Sequence, residues 1–293
     1  MAKEKNVDFS SKELPENRFK QFFDIFKHRF LDILKISLLE AMFLMPLLAS
    51  LILFYAFVKS AQGADSLFTV FLFQSISLLI TVPIGYIGLV GVFTCLKKIV
   101  QADSEYTASS FFIGLKNDWY HGLIIGIFEG LSAGILVMGI FFFLVYPNNQ
   151  LPAEVNGLGI VVSIVQFIVI TMCSYHSLMQ FVCYTNKVGA TIKNSFLLVL
   201  SRFPLNLIFI IIHPGIFVIL VSVMEITMFV GVVIMLIFSG VFHLIWALNT
   251  ISAFDKFINR HYHPEAYRKG LLPKEEEIIP IVSDEDEEEQ EVQ

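Results

Sequence analysis

The sequence predicts an all-α fold: a polytopic membrane helical bundle with six transmembrane helices and both termini in the cytoplasm. Three observations lead there. The 293 residues are 56% hydrophobic, with a mean hydropathy of +0.72 and 30 phenylalanines, and only 16% are charged. Soluble domains carry roughly 25% charged residues, and one soluble core of this size could not hide so much apolar surface, whereas lipid can cover it. Second, six stretches meet the roughly 20 apolar residues that a helix needs to cross the hydrocarbon. Third, 19 of the 20 Lys and Arg fall on alternate connections and only Lys59 falls on the others. Cytoplasmic loops are enriched in Lys and Arg, so this split orients the chain, and an even number of spans returns the C-terminus to the cytoplasm of a cell-membrane protein.

The elements follow in order. Phe19, Phe22, Phe23, Phe26 and Phe30 recur at helical spacing with Arg18, Lys20, Lys27 and Arg29 among them. This predicts an amphipathic helix lying on an anionic inner leaflet, started by a capping box of Ser10 and Glu13. The spans are expected at 36–58, 67–96, 122–146, 157–184, 203–224 and 226–254. The second is uncharged over 66–96, longer than a perpendicular helix requires, and Pro83 in its middle should kink it. The outer connections are short, Pro147-Asn148-Asn149-Gln150 being polar and uncharged and the turn at Glu225 very tight. No cleavable signal peptide is expected, because the first 30 residues are charged and the run that follows is long enough to span.

Three regions result: a cytoplasmic N-terminal segment (1–31), the six-helix membrane domain (32–263) and an acidic cytoplasmic tail (264–293). Ten acidic residues between Glu275 and Glu291 account for the net charge of −6 and leave the rest mildly basic. The block Ser283-Asp284-Glu285-Asp286-Glu287-Glu288-Glu289 is too charged to bury and is expected to be disordered. A repeat is also visible. Phe23, Phe26, Lys27, Phe30 and Leu34 align with Phe112, Leu115, Lys116, Trp119 and Leu123 at a shift of 89, and Ser110, Phe111 and Leu115 with Ser195, Phe196 and Leu200 at a shift of 85. Each match precedes a hairpin, which reads as three parallel units of interfacial helix plus two spans.

Two groups of residues stand out. Gly122, Gly126, Gly130 and Gly134 recur every four residues on the third span, with Gly85, Gly88 and Gly91 as a matching surface on the second. Small residues at this spacing let helix backbones approach closely in lipid, either within the chain or in self-association through the third helix. Ionisable groups inside spans are costly and default to functional hypotheses. They are Glu40, Glu129, His176, His213 and His243, and Glu40 and Glu129 differ by the repeat shift of 89. Both should face the interior about two turns from the cytoplasmic side, with His213, before Pro214, at the equivalent place in the third unit. They form either a proton- or cation-handling site or hydrogen-bonded carboxyls that fix packing.

The scattered histidines lack ligand spacing, and His261-Tyr262-His263 reads as solvated surface, so no metal or cofactor is expected. Cys95, Cys173 and Cys183 form no C-x-x-C pair and read as structural thiols. There is no phosphate-binding loop, nucleophile elbow or H-E-x-x-H, which points away from an enzyme. No nucleic-acid partner is expected.

Thr81-Val82-Pro83-Ile84-Gly85, Gly91-Val92-Phe93, Lys97-Lys98, Ser109-Ser110-Phe111-Phe112, Leu115-Lys116-Asn117-Asp118-Trp119 and Phe254-Asp255-Lys256-Phe257-Ile258 together resemble the YesL-like family of bacterial integral membrane proteins, over roughly residues 20–260. Glu40 departs from the family pattern, where an Asn is expected, and the long acidic tail is extra. The resemblance implies an inner-membrane protein without an assigned reaction, associated with carbohydrate uptake and partnered by a transporter subunit. The leading expectation is therefore a non-enzymatic accessory or assembly component of solute uptake. The rival is a small transporter or channel that uses its intramembrane carboxylates, for which Pro83 and the His213-Pro214-Gly215 break would supply discontinuous helices.

Overall fold

The computed structural model describes residues 14–102, 107–146, 151–210 and 225–273, and no strand occurs among them. The helices are α1 (Arg18–Ser60), α2 (Ala64–Val100), α3 (Thr107–Ile140), α4 (Ala153–Cys183), α5 (Val188–Ser201), α6 (Phe203–Ile210), α7 (Glu225–Phe254) and the short α8 (Arg260–Tyr262). Single π-helical turns extend α3 over Phe141–Val145 and α7 over Asp255–Asn259. By length and composition, α1 to α4 can each cross a bilayer, and α5 with α6 can add a fifth, broken crossing.

α1 joins the expected interfacial helix to the first span. Asn17 caps it by accepting the Lys20 N–H at 2.8 Å. The expected cap residues Ser10 and Glu13 lie outside the described residues. The helix breaks at Arg29 (φ −127°, ψ 23°), between the Phe-rich segment and the span. α5 ends at Arg202 in nearly the same conformation (φ −130°, ψ 28°), and α6 leaves it at 94°. α3 behaves differently, running helically from Thr107 through the whole second span-entering segment. α2 stays helical through Pro83, so the proline does not break it into two helices. Pro83 itself lies against Gly126 of α3.

That packing is the tightest in the bundle. A Cβ on Gly122 would lie 2.7 Å from the Tyr86 carbonyl oxygen, on Gly126 2.5 Å from Pro83 Cα, and on Gly130 2.7 Å from the Leu78 carbonyl oxygen. Gly134 is looser, at 3.2 Å from the Ser75 carbonyl oxygen, and its own carbonyl accepts from Ser75 Oγ at 3.2 Å. The glycine face that could have served self-association is thus filled by α2 of the same chain. Gly85, Gly88 and Gly91 do not form the other side of that seam. They receive Leu44, Phe43 and Phe111 respectively. The outward faces of α1 and α4 remain apolar and exposed, as Met42, Met45, Ile52, Leu158, Val161 and Val165 show, which suits lipid.

One boundary needs correction. Residues 264–273 were expected in the disordered tail, yet they fold back onto the start of α1. The Leu272 N–H donates to the Pro15 carbonyl at 3.0 Å, Gln21 Nε2 to the Gly270 carbonyl at 3.0 Å, and Arg268 to the Glu16 carbonyl at 3.0 Å. Gly270 takes φ +81° where a Cβ would meet the Val100 carbonyl at 2.1 Å, so only glycine allows this approach. Composition hid this because the anchoring acceptors are distant backbone groups. The acidic block beyond Lys274 lies outside the described residues.

Candidate functional site

Among the described residues, the intramembrane ionisable groups named above lie on α1, α3, α4 and α7. α1 and α7 approach closely at Gly240, where a Cβ would lie 2.7 Å from Ser37 Oγ and 2.8 Å from the Ile33 carbonyl. The Gly240 N–H donates to Ser37 Oγ at 2.9 Å. Three residues beyond Ser37 and three beyond Gly240, on the two antiparallel helices, Glu40 meets His243 with Oε1 2.7 Å from Nε2. Glu40 is 1% exposed and His243 3%. The other carboxyl oxygen of Glu40, Oε2, is buried and has no partner among the described residues.

An aromatic wall encloses this pair. Tyr175 of α4 stacks on the His243 ring at 5.7 Å and on Trp246 at 5.0 Å. Phe93 of α2 stands edge-on to both Tyr175 and His243. Tyr175 is within electrostatic reach of both Glu40 and Glu129.

Glu129, 4% exposed on α3, takes its hydrogen bonds from α4. Thr171 Oγ1 donates to Oε1, and Ser174 Oγ donates to Oε2 at 3.0 Å. Both expected carboxyls therefore face the bundle interior. Each has its own hydrogen-bond partners, and the two share Tyr175 as a neighbour. His213 and the break expected around it lie outside the described residues.

A second polar cluster was not anticipated beyond His176 itself. Thr250 Oγ1 lies 3.0 Å from His176 Nδ1, and Asn206 Oδ1 3.4 Å from Nε2. Asn249 Nδ2 donates to Asn206 Oδ1 at 2.8 Å, and Arg202 donates to the Asn249 carbonyl at 3.2 Å. His176 is edge-on to Trp246, so the indole separates this cluster from Tyr175 and His243. Lone Asn and Thr residues inside apolar runs were the available signal. They acquire meaning only when α4, α6 and α7 place them side by side.

Chemically, a carboxyl and an imidazole in short contact inside a low-dielectric interior can share one proton between an ion pair and a neutral pair. Burial makes an isolated charge costly, so the proton count of the site is tied to its partners. Among the described residues no group of three His, Cys, Asp or Glu could hold a metal ion. No protein family, curated protein or solved structure matches this chain.

Proposed function

We propose that the chain is a small six-span membrane transporter or channel whose interior carboxylates handle a proton or a monovalent cation. The observation that carries this reading is Glu40: one oxygen is held by His243 at 2.7 Å, while the other is buried and has no partner among the described residues. Glu129, by contrast, has both oxygens hydrogen-bonded, by Thr171 and Ser174. An intramembrane carboxylate with spare acceptor capacity, beside an imidazole and within reach of a shared tyrosine, is the chemistry of a proton or cation relay.

The fifth and sixth spans, the cytoplasmic placement of both termini and the three-unit repeat belong to the same proposal. The matching backbone breaks at Arg29 and Arg202 support equivalence of the first and third units. The unbroken α3 weighs against an in-plane helix in the second.

The test is proton flux into liposomes carrying the purified chain and an internal pH dye, under an imposed potential. The parent should dissipate the gradient. Glu40→Gln, which keeps shape and hydrogen bonding, should lose most of that flux while eluting as the same folded species. A parent indistinguishable from empty liposomes overturns the reading.

A second reading, an accessory component of solute uptake as the YesL-like resemblance implies, is favoured by the exposed lateral faces of α1 and α4, which could seat partner helices. Co-purification of a stable transporter subunit in mild detergent would support it, and isolation of the lone chain would count against it.

A further inference from the structure

The cytoplasmic end of the bundle carries a cleft unconnected with the carboxylates. It has a volume of about 460 Å³, and five cationic side chains line it: Arg18, Arg202, Lys256, Arg260 and Arg268. Asp255 is the one carboxylate in the lining. It is already engaged by Arg18 Nη2 at 2.8 Å, by Asn259 Nδ2 at 2.9 Å and by the Arg268 N–H at 3.2 Å. The π-helical turn Asp255–Asn259 and the folded-back segment containing Arg268 bring these charges together.

The cleft continues into an apolar groove of about 500 Å³, with Arg18, Phe19, Arg202 and Ser252 common to both. Phe22 and Phe23 of α1, Leu205 and Phe209 of α6, and Ile245 and Leu248 of α7 form its sides. From Ser252 to Ile245 the groove follows α7 for roughly 10 Å, at 1.5 Å per residue. Phe19 is 74% exposed and Phe23 55%, at the mouth.

We infer that this composite site binds one anionic phospholipid, with the phosphate headgroup in the cationic cleft and an acyl chain along the groove. A free anion would use the cleft and leave the groove empty. A zwitterionic lipid would fill the groove and leave the excess cations uncompensated. Only an anionic amphiphile matches both halves, and the arginines that join them sit where the Phe-rich amphipathic segment would meet the inner leaflet. Burial pulls the Arg18 guanidinium below its ordinary pKa even with Asp255 beside it, so a bound anion would offset part of the cost of holding that charge there. The competing occupant is the chain's own acidic block at 284–289.

The test is thermal stabilisation of the full-length protein in an uncharged detergent, titrated separately with phosphatidylglycerol, phosphatidylcholine and inorganic phosphate. Ligand that binds only the folded state raises stability by mass action. Phosphatidylglycerol should stabilise at much lower concentration than the other two. The Lys256→Gln/Arg260→Gln double variant removes two exposed cations without touching Arg18–Asp255. It should need more phosphatidylglycerol, by roughly fivefold per cation removed. Equal responses to phosphatidylglycerol and phosphatidylcholine, or to phosphatidylglycerol and phosphate, would overturn the inference, as would an unchanged titration in the double variant. A response that emerges only after the acidic residues at 284–289 are replaced by their amides, in the full chain, would assign the cleft to the tail instead.

Discussion

The α2–α3 seam gives the most direct quantitative test of how this bundle is held. In Gly126→Ala the new Cβ would lie 2.5 Å from Pro83 Cα, 2.9 Å from Tyr86 Cβ and 3.2 Å from Pro83 Cβ. Carbon atoms pack at roughly 3.5–4.0 Å, so the helices must part by about 1 Å at that point. The obstacle is backbone, and a proline backbone at that, so no rotamer change relieves it. Gly122 and Gly130, one turn to either side, lie as close to α2, since a Cβ on either would meet a backbone oxygen at 2.7 Å, and this close packing resists a local separation. Overpacking of this kind costs about 1–3 kcal/mol, against which alanine regains up to ~1 kcal/mol of helix propensity over glycine. The net expectation is a loss of about 1–2 kcal/mol. Gly157→Ala is the matched control, because a Cβ there meets nothing within 4 Å and should be neutral or slightly stabilising. Gly134→Ala, with its nearest neighbour at 3.2 Å, should fall between. Unfolding titrations in mixed micelles with added sodium dodecyl sulfate read all three against the parent. Equal stability of Gly126→Ala and Gly157→Ala would refute the claim that backbone contact at the glycines, rather than general apolar burial, sets the seam.

Three further outcomes are expected. Asp255→Ala leaves the Arg18 guanidinium buried without its carboxylate, the ion-pair side chains being 9% and 11% exposed, and should cost roughly 3 kcal/mol. It should release the folded-back segment, seen as faster tryptic cleavage after Arg268 and Lys269; unchanged cleavage would mean the backbone bonds alone hold it. Arg202→Ala removes the donors to the Asn249 and Ser252 carbonyls, at 3.2 and 3.0 Å, and should lower stability by about 1–3 kcal/mol. A variant as stable as the parent would show that the sharp α5–α6 turn needs no side-chain brace. In cells carrying single cysteines in a background without native ones, an impermeant thiol reagent should label a cysteine at Asn148 and not one at Ser104, and labelling at Ser104 would reverse the proposed orientation.

The sequence by itself determined the helical class and which runs are long and apolar enough to cross a membrane. Apolar run length and charge along the chain are local quantities, and lipid imposes its thickness on them directly. It also determined that Glu40 and Glu129 face inward, because a carboxylate at that depth is heavily penalised in contact with lipid. The face of each helix was much less legible. In a soluble protein the apolar stripe marks the interior. Here the outward face is as apolar as the inward one, so periodicity does not say which residues meet. Glu40 finds His243 across 203 residues because Gly240 lets α7 approach α1 closely at Ser37. Glu129 turns to Thr171 and Ser174 rather than toward Glu40, and Gly88 receives Phe43 rather than the α3 glycines. The tertiary structure decided these pairings because in lipid they depend on where two backbones can touch, which small residues permit but do not assign to a partner.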